Sequence, residues 1–121
     1  MFTKFAKFLY ILVPPPPPRN VRPSQVKETF IYLEWEHPDL YQYFSIRSYY
    51  IKYRKSGKNT WLSKSYSADL ATKMQLNNLE SNAIYVIKVV AKNDYSFGKE
   101  SEEIEVKTLK QQGDLFIFKS P

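Results

Sequence analysis

Two carboxylates, Glu34 and Glu36, bracket a tryptophan, and the chain's one histidine, His37, follows directly. Paired carboxylates do general acid–base work when a cleft gives them different environments. Two apart on a strand, they share one outward face, which is the spacing of a surface ladder. His37 precedes Pro38 in a turn, and with one His and no Cys in 121 residues it has no metal-ligating company. That composition excludes a thiolate zinc site, a disulfide framework and a cysteine nucleophile. It also makes no Ser/His/Asp set evident. Three glycines form no phosphate-cradling loop. The expectation is a non-catalytic chain with no metal and no cofactor.

Charge is more informative. Lys plus Arg is 18 against 12 Asp plus Glu, a net charge of +6. From Leu40 to Ala68 there are six bases (Arg47, Lys52, Arg54, Lys55, Lys58, Lys64) and no acid. Such a run attracts acidic partners. No recognition helix is visible, so specific nucleic-acid binding is not expected.

The elements that carry these residues are strands. Phe30-Ile31-Tyr32-Leu33-Glu34-Trp35, Tyr49-Tyr50-Ile51-Lys52-Tyr53-Arg54, Tyr85-Val86-Ile87-Lys88-Val89-Val90-Ala91 and Ile104-Glu105-Val106-Lys107-Thr108 are β-branched and aromatic with a period of two. Turn signals separate them at His37-Pro38-Asp39, Ser56-Gly57-Lys58-Asn59, Asn77-Asn78 and Asn93 to Gly98. About seven short strands in about 90 residues predict an all-β sandwich. With Trp35 as anchor, Ile31, Leu33, Tyr49, Ile51, Tyr53, Tyr85, Ile87, Val89, Ala91, Ile104 and Val106 face inward. Tyr50, Lys52, Arg54, Val86, Lys88, Val90 and Lys92 face out. Hydrophobic residues at 43% and aromatics at 17% are enough for such a core and too many for a disordered chain.

These residues resemble a fibronectin type III module over residues 17–108. The resemblance runs through Pro18-Arg19-Asn20-Val21, then Ile31-x-Leu33-x-Trp35 with Pro38, then Tyr49-x-Ile51-x-Tyr53-Arg54 and Trp61. It continues with Leu76-x-x-Leu79, Tyr85 to Asn93 and Gly98-x-x-Ser101. It implies an immunoglobulin-like sandwich of seven antiparallel strands, with Trp35, Tyr49, Tyr53, Leu79 and Tyr85 as its structural signature. Tyr85 is then the tyrosine of a tyrosine corner, its hydroxyl bonded to backbone upstream and its ring near Leu79. Ser81 and Ala83 depart from the family's Pro and Thr, and the span from Val21 to Phe30 leaves the first strand's register open.

The resemblance sets the strand of Lys88 and Lys92 beside that of Lys52 and Arg54. These four cations then form one patch for heparan sulfate or another acidic ligand, unless Glu103 and Glu105 on the next strand pair with Lys88 and Lys92. The family often binds through the loop holding Tyr95 and Phe97, so both are candidate contacts for a protein partner. The other reading folds their rings back onto the sandwich.

Residues 1–13 carry two lysines and a six-residue apolar run, shorter than the about 7 to 15 of a signal core. They read as a signal-like or disordered N-terminal segment. Residues 14–18 are a pentaproline, read as a stiff spacer; it also fits P-x-x-P-x-R, a pattern five prolines meet too easily. Residues 109–121 read as a linker or tail. No run reaches the roughly 20 apolar residues of a membrane span. The expected function is a protein-binding or spacer module of a cell-surface receptor or adhesion protein, extracellular. The alternative is a cytoplasmic structural module of a muscle-type or cytoskeletal protein. A third reading is an accessory module of a secreted carbohydrate-active enzyme. The absence of any N-x-Ser/Thr acceptor among six asparagines counts mildly against the first.

Overall fold

The computed structural model describes residues 13–66 and 70–111. Most of the signal-like segment and most of the expected tail therefore lie outside the described residues. Among the described residues seven strands form: β1 (Arg19–Val26), β2 (Ile31–Glu36), β3 (Ser48–Lys55), β4 (Leu62–Tyr66), β5 (Lys73–Leu76), β6 (Ile84–Lys92) and β7 (Ile104–Lys107). They build two antiparallel sheets, β1-β2-β5 and β4-β3-β6-β7. A single 3-10 turn, Tyr41–Tyr43, interrupts the β2–β3 connection.

Alternation decides the packing. Along β2, Ile31, Leu33 and Trp35 are buried while Tyr32 and Glu36 are exposed. Tyr49 and Ile51 of β3, Met74 and Leu76 of β5, Ile87, Val89 and Ala91 of β6 and Val106 of β7 close the core from the other strands. The Trp35 and Tyr49 rings meet edge to face with centroids 5.5 Å apart, linking the two sheets. Each large side chain buried here contributes roughly 1.5–3 kcal/mol.

The register of β1, open from sequence, contains two irregularities, one between Arg19 and Arg22 and one between Pro23 and Gln25. Pro23 has no N–H to give a ladder, and β1 is an edge strand, where that lack is tolerated. The β3–β4 turn relies on Gly57, whose φ of 88° is one that side chains rarely adopt.

The pentaproline belongs to the sandwich. Pro15 and Pro18 are buried, and Lys99 N–H donates to Pro15 O at 2.9 Å. Nothing in the composition of five prolines indicates this contact, because it depends on residues more than 80 positions away.

The end of the sandwich opposite the loop of Tyr95 is closed by side chains. Glu80 N–H donates to the Tyr85 hydroxyl at 2.8 Å, and Leu79 is buried. Thr108, 2% exposed, donates from Oγ1 to Glu80 O at 2.6 Å and accepts there from Ala83 N–H at 3.0 Å. Thr108→Val keeps the shape and strands both backbone partners. A loss of about 1–3 kcal/mol is expected in urea unfolding; an unchanged midpoint would mean water reaches them.

Candidate binding surfaces

The outer face of the four-stranded sheet carries the predicted cations. Lys52 of β3 lies directly opposite Lys88 of β6. Like charges at that spacing repel unless something lies between them. Here it is Glu100, whose two carboxylate oxygens accept from Lys52 Nζ at 2.8 Å and Lys88 Nζ at 2.9 Å. The hydrogen bond from Lys52, then that from Lys88, hold the Glu100 carboxyl below the usual carboxylate range. Its stabilising contribution is present above that range and fades as pH falls through the lowered value.

The remaining cations lean on rings. Arg54 lies 4.9 Å and Lys88 4.1 Å from the Trp61 ring centroid. Lys92 lies 5.5 Å from that of Phe97. Such contacts bury the aliphatic stems while the charge stays wet. Val86 and Val90 face outward on β6, as the alternation requires, yet they are 4% and 1% exposed.

The pairing expected for Lys88 and Lys92 is only partly realised. Glu103 reaches Lys88 at 3.9 Å, but Glu105 lies opposite Val86 and Lys92 finds Phe97. The physical reason is the path of residues 98–101. Gly98 N–H donates to Ala91 O and Ser101 N–H to Val89 O, so this stretch runs along β6 before β7 begins. Glu100 is thereby delivered over the sheet. Nothing in the local sequence marks Glu100 for this, and it was missed.

The two candidate aromatics of the β6–β7 connection separate. Phe97 is half-exposed and turns back to meet Tyr50 edge-on at 5.1 Å. Tyr95 is 61% exposed and projects from the end of the sandwich. Asn93, fully buried, fixes that loop. Its Oδ1 accepts from Tyr95 N–H and Ser96 N–H, both at 2.9 Å. Its Nδ2 donates to Phe44 O and Val13 O, both at 3.2 Å. Arg47 pairs with Asp94 at 3.2 Å, a second tie between the β2–β3 and β6–β7 connections. An Asn closing a strand before Asp-Tyr-Ser was the available signal for the turn, but not for the distant partners.

His37 stands beside the same end. Its ring stacks on Tyr41 at 4.0 Å, and its Nδ1 lies 2.5 Å from the buried Tyr49 hydroxyl. Burial lowers the His37 pKa below 6.5, and burial, then Tyr41, raises that of Tyr49. A neutral imidazole thus shares this hydrogen bond with the Tyr49 hydroxyl, and the histidine tautomer decides which of the two donates. A lowered histidine pKa means the unfolded chain takes up the proton first. Stability from this contact is full above about pH 6.5 and is lost as pH falls through the lowered value. The thermal midpoint is expected to drop between about pH 7.5 and 5.5, and His37→Asn to flatten that slope. Parallel slopes would place the sensitivity elsewhere.

Glu34 and Glu36 do not form a carboxylate pair in one cleft: Glu34 borders a concavity of about 800 Å³ with Lys64 and Lys73, while Glu36, 3.8 Å from Arg19, borders a separate one with His37 and Asp39. No candidate contact residue for a protein or an acidic ligand lines the first concavity. Among the described residues, no group of three or more His, Cys, Asp or Glu could hold a metal ion, and no helix is long and apolar enough to cross a membrane.

A two-sheet sandwich with its exposed chemistry on one sheet face and one set of end loops defines an immunoglobulin-like module. The fibronectin type III domain model matches residues 16–107, and the chain belongs to that family. Its domains are generally non-catalytic modules. The chain is similar to the netrin receptor DCC of mouse, 28% identical over 94 residues, which is 78% of this chain and 6% of that protein. The human and rat proteins match equally in identity and coverage. Among solved structures it is similar to the FN1–FN3 domains of chicken CNTN1, with 25% identity, TM-score 0.71 and coverage of 80% of this chain and 32% of that one. Domains of titin give 25% identity and TM-score 0.71, covering 80% of this chain and 33% of that one.

Proposed function

We propose that this chain is a protein-recognition module of a cell-surface receptor or adhesion protein, working without turnover. The observation that carries this is Tyr95, a large aromatic held in water on a loop that buried Asn93 immobilises. A rigid exposed aromatic loses little entropy on binding, which is why such residues become hot spots. The likeness to a netrin receptor and to CNTN1 supports the cell-surface setting. The likeness to titin supports the second reading, a structural module inside the cell.

Lys52, Arg54, Lys88 and Lys92 remain the candidates for an acidic ligand. Glu100 already engages two of them, which weakens the case for heparan sulfate.

The test is to stain intact animal cells with the tetramerised chain. Trypsin treatment of the cells is expected to abolish staining, and Tyr95→Ala to reduce it about tenfold. The same variant is expected to keep its stability within about 0.5 kcal/mol, as exposed positions do. Loss of staining with heparinase instead of trypsin would transfer the function to heparan sulfate. No staining at all would favour the structural reading.

A further inference from the structure

We propose that the outer face of the β4-β3-β6-β7 sheet docks an extended protein segment bearing a carboxylate flanked by apolar side chains, and that Glu100 occupies that carboxylate's seat in the free module. The inference rests on the protein-recognition reading and names a second surface and the chemistry of its occupant.

The seat is visible because the chain fills it itself. Two ammonium groups on facing strands converge on one carboxylate at 2.8 and 2.9 Å. Removing Glu100 without replacement leaves Lys52 and Lys88 opposed, with only Glu103 at 3.9 Å from Lys88 as counter-charge, so the seat favours an anion whoever supplies it. Glu100 is free to yield. Its backbone is anchored on both sides by Lys99 N–H to Pro15 O and Ser101 N–H to Val89 O, while its side chain is 37% exposed. Only a rotamer must change.

The surroundings select the kind of partner. Phe97 is half-exposed beside the seat, against Tyr50, and Lys52 lies 6.0 Å from its ring centroid. Trp61 lies under Lys88 on the other flank. A sulfated polysaccharide offers Phe97 and Tyr50 less apolar surface than Leu or Phe beside an acidic residue does. Charge points the same way. The acids of this face, Glu100, Glu103 and Glu105, all come from the β7 side, and residues 40–68, which include β3 and β4, contain no acid. An acidic segment is thus drawn across β3 and β4.

The test is an NMR titration of the full chain with the N-acetylated, C-amidated hexapeptide Leu-Asp-Leu-Glu-Phe-Leu, its Asn/Gln counterpart and a heparin tetrasaccharide. Shifts are expected at Lys52, Lys88, Trp61 and Phe97 with the acidic peptide and not with its neutral counterpart. Glu100→Gln is expected to tighten peptide binding about fivefold by vacating the seat, while Glu105→Gln, the same charge change outside it, alters binding less than about twofold. Equal tightening by both variants would reduce the effect to net charge and overturn the proposal. So would absence of shifts on this face, or preferential binding of the tetrasaccharide there. If cell staining depends on Tyr95 while the titration fails, only this second surface falls. If staining fails and the titration succeeds, the Tyr95 reading falls.

Discussion

Asn93→Ala is expected to destabilise the domain by about 3 kcal/mol, roughly 15 °C in thermal midpoint for a domain of this size. The side chain is fully buried and bonds in two directions. Its amide donates to the carbonyls of Phe44 and Val13, and its oxygen caps the N–H groups of Tyr95 and Ser96. Alanine removes all four bonds, of which the one to Phe44 O is buried and the other three part-buried, and a buried unmet group costs about 1–3 kcal/mol. Asn93→Asp separates the halves. It keeps the acceptor for the loop and loses the donor to Phe44 and Val13, so an intermediate loss is expected, with the Tyr95 loop still ordered by amide exchange. If both variants unfold with the wild-type midpoint, the loop is held by Arg47–Asp94 and the flanking strands instead.

Gly98→Ala is the second large effect. A Cβ at this position would stand 2.3 Å from Pro15 O and 3.0 Å from Pro15 C and Cβ. The obstacle is backbone, so no rotamer relieves it. Either the proline segment lifts and breaks Lys99 N–H to Pro15 O, or Gly98 leaves Ala91 O, to which its N–H donates at 2.7 Å. Overpacking of this kind costs about 1–3 kcal/mol. The cause is separable by a double-mutant cycle with deletion of residues 1–15. If the clash with Pro15 is responsible, the alanine is expected to cost almost nothing in the shortened chain. A full cost there would place the strain in residues 98–101 and β6.

The contrast between these two sites and the rest shows where sequence reading works. β2, β3, β6 and β7 and their inward faces were legible because each rests on local alternation, while the contact of Tyr85 with upstream backbone followed from the family resemblance. β6 is the clearest case, since its pattern alone separates Ile87, Val89 and Ala91 from Lys88 and Lys92. The burial of Val86 and Val90 was not legible, because it comes from side chains and a stretch of chain folding across the face. Glu100 between Lys52 and Lys88, Pro15 against Gly98, and the Asn93 bonds to Phe44 and Val13 all join segments distant in sequence. None has a local pattern, so each became visible only in the fold.

The fastening of the proline run also fixes how the module carries tension. A pull on the N-terminal side reaches Val13 and Pro15 first, at the Asn93 end, where they are tied to Asn93 and Lys99. At the C-terminal side the chain leaves from the other end, where Asn82 N–H donates to Leu109 O and Leu109 N–H to Lys27 O. Opposed forces therefore run along the strands and load their hydrogen bonds together in shear. Unzipping them singly would need a pull across the sheet. Extended proline is a stiff lead for such a load, with about 3.1 Å of length per residue and little slack to take up. A pull from the N-terminal side therefore meets the Lys99 N–H to Pro15 O bond before it reaches β1.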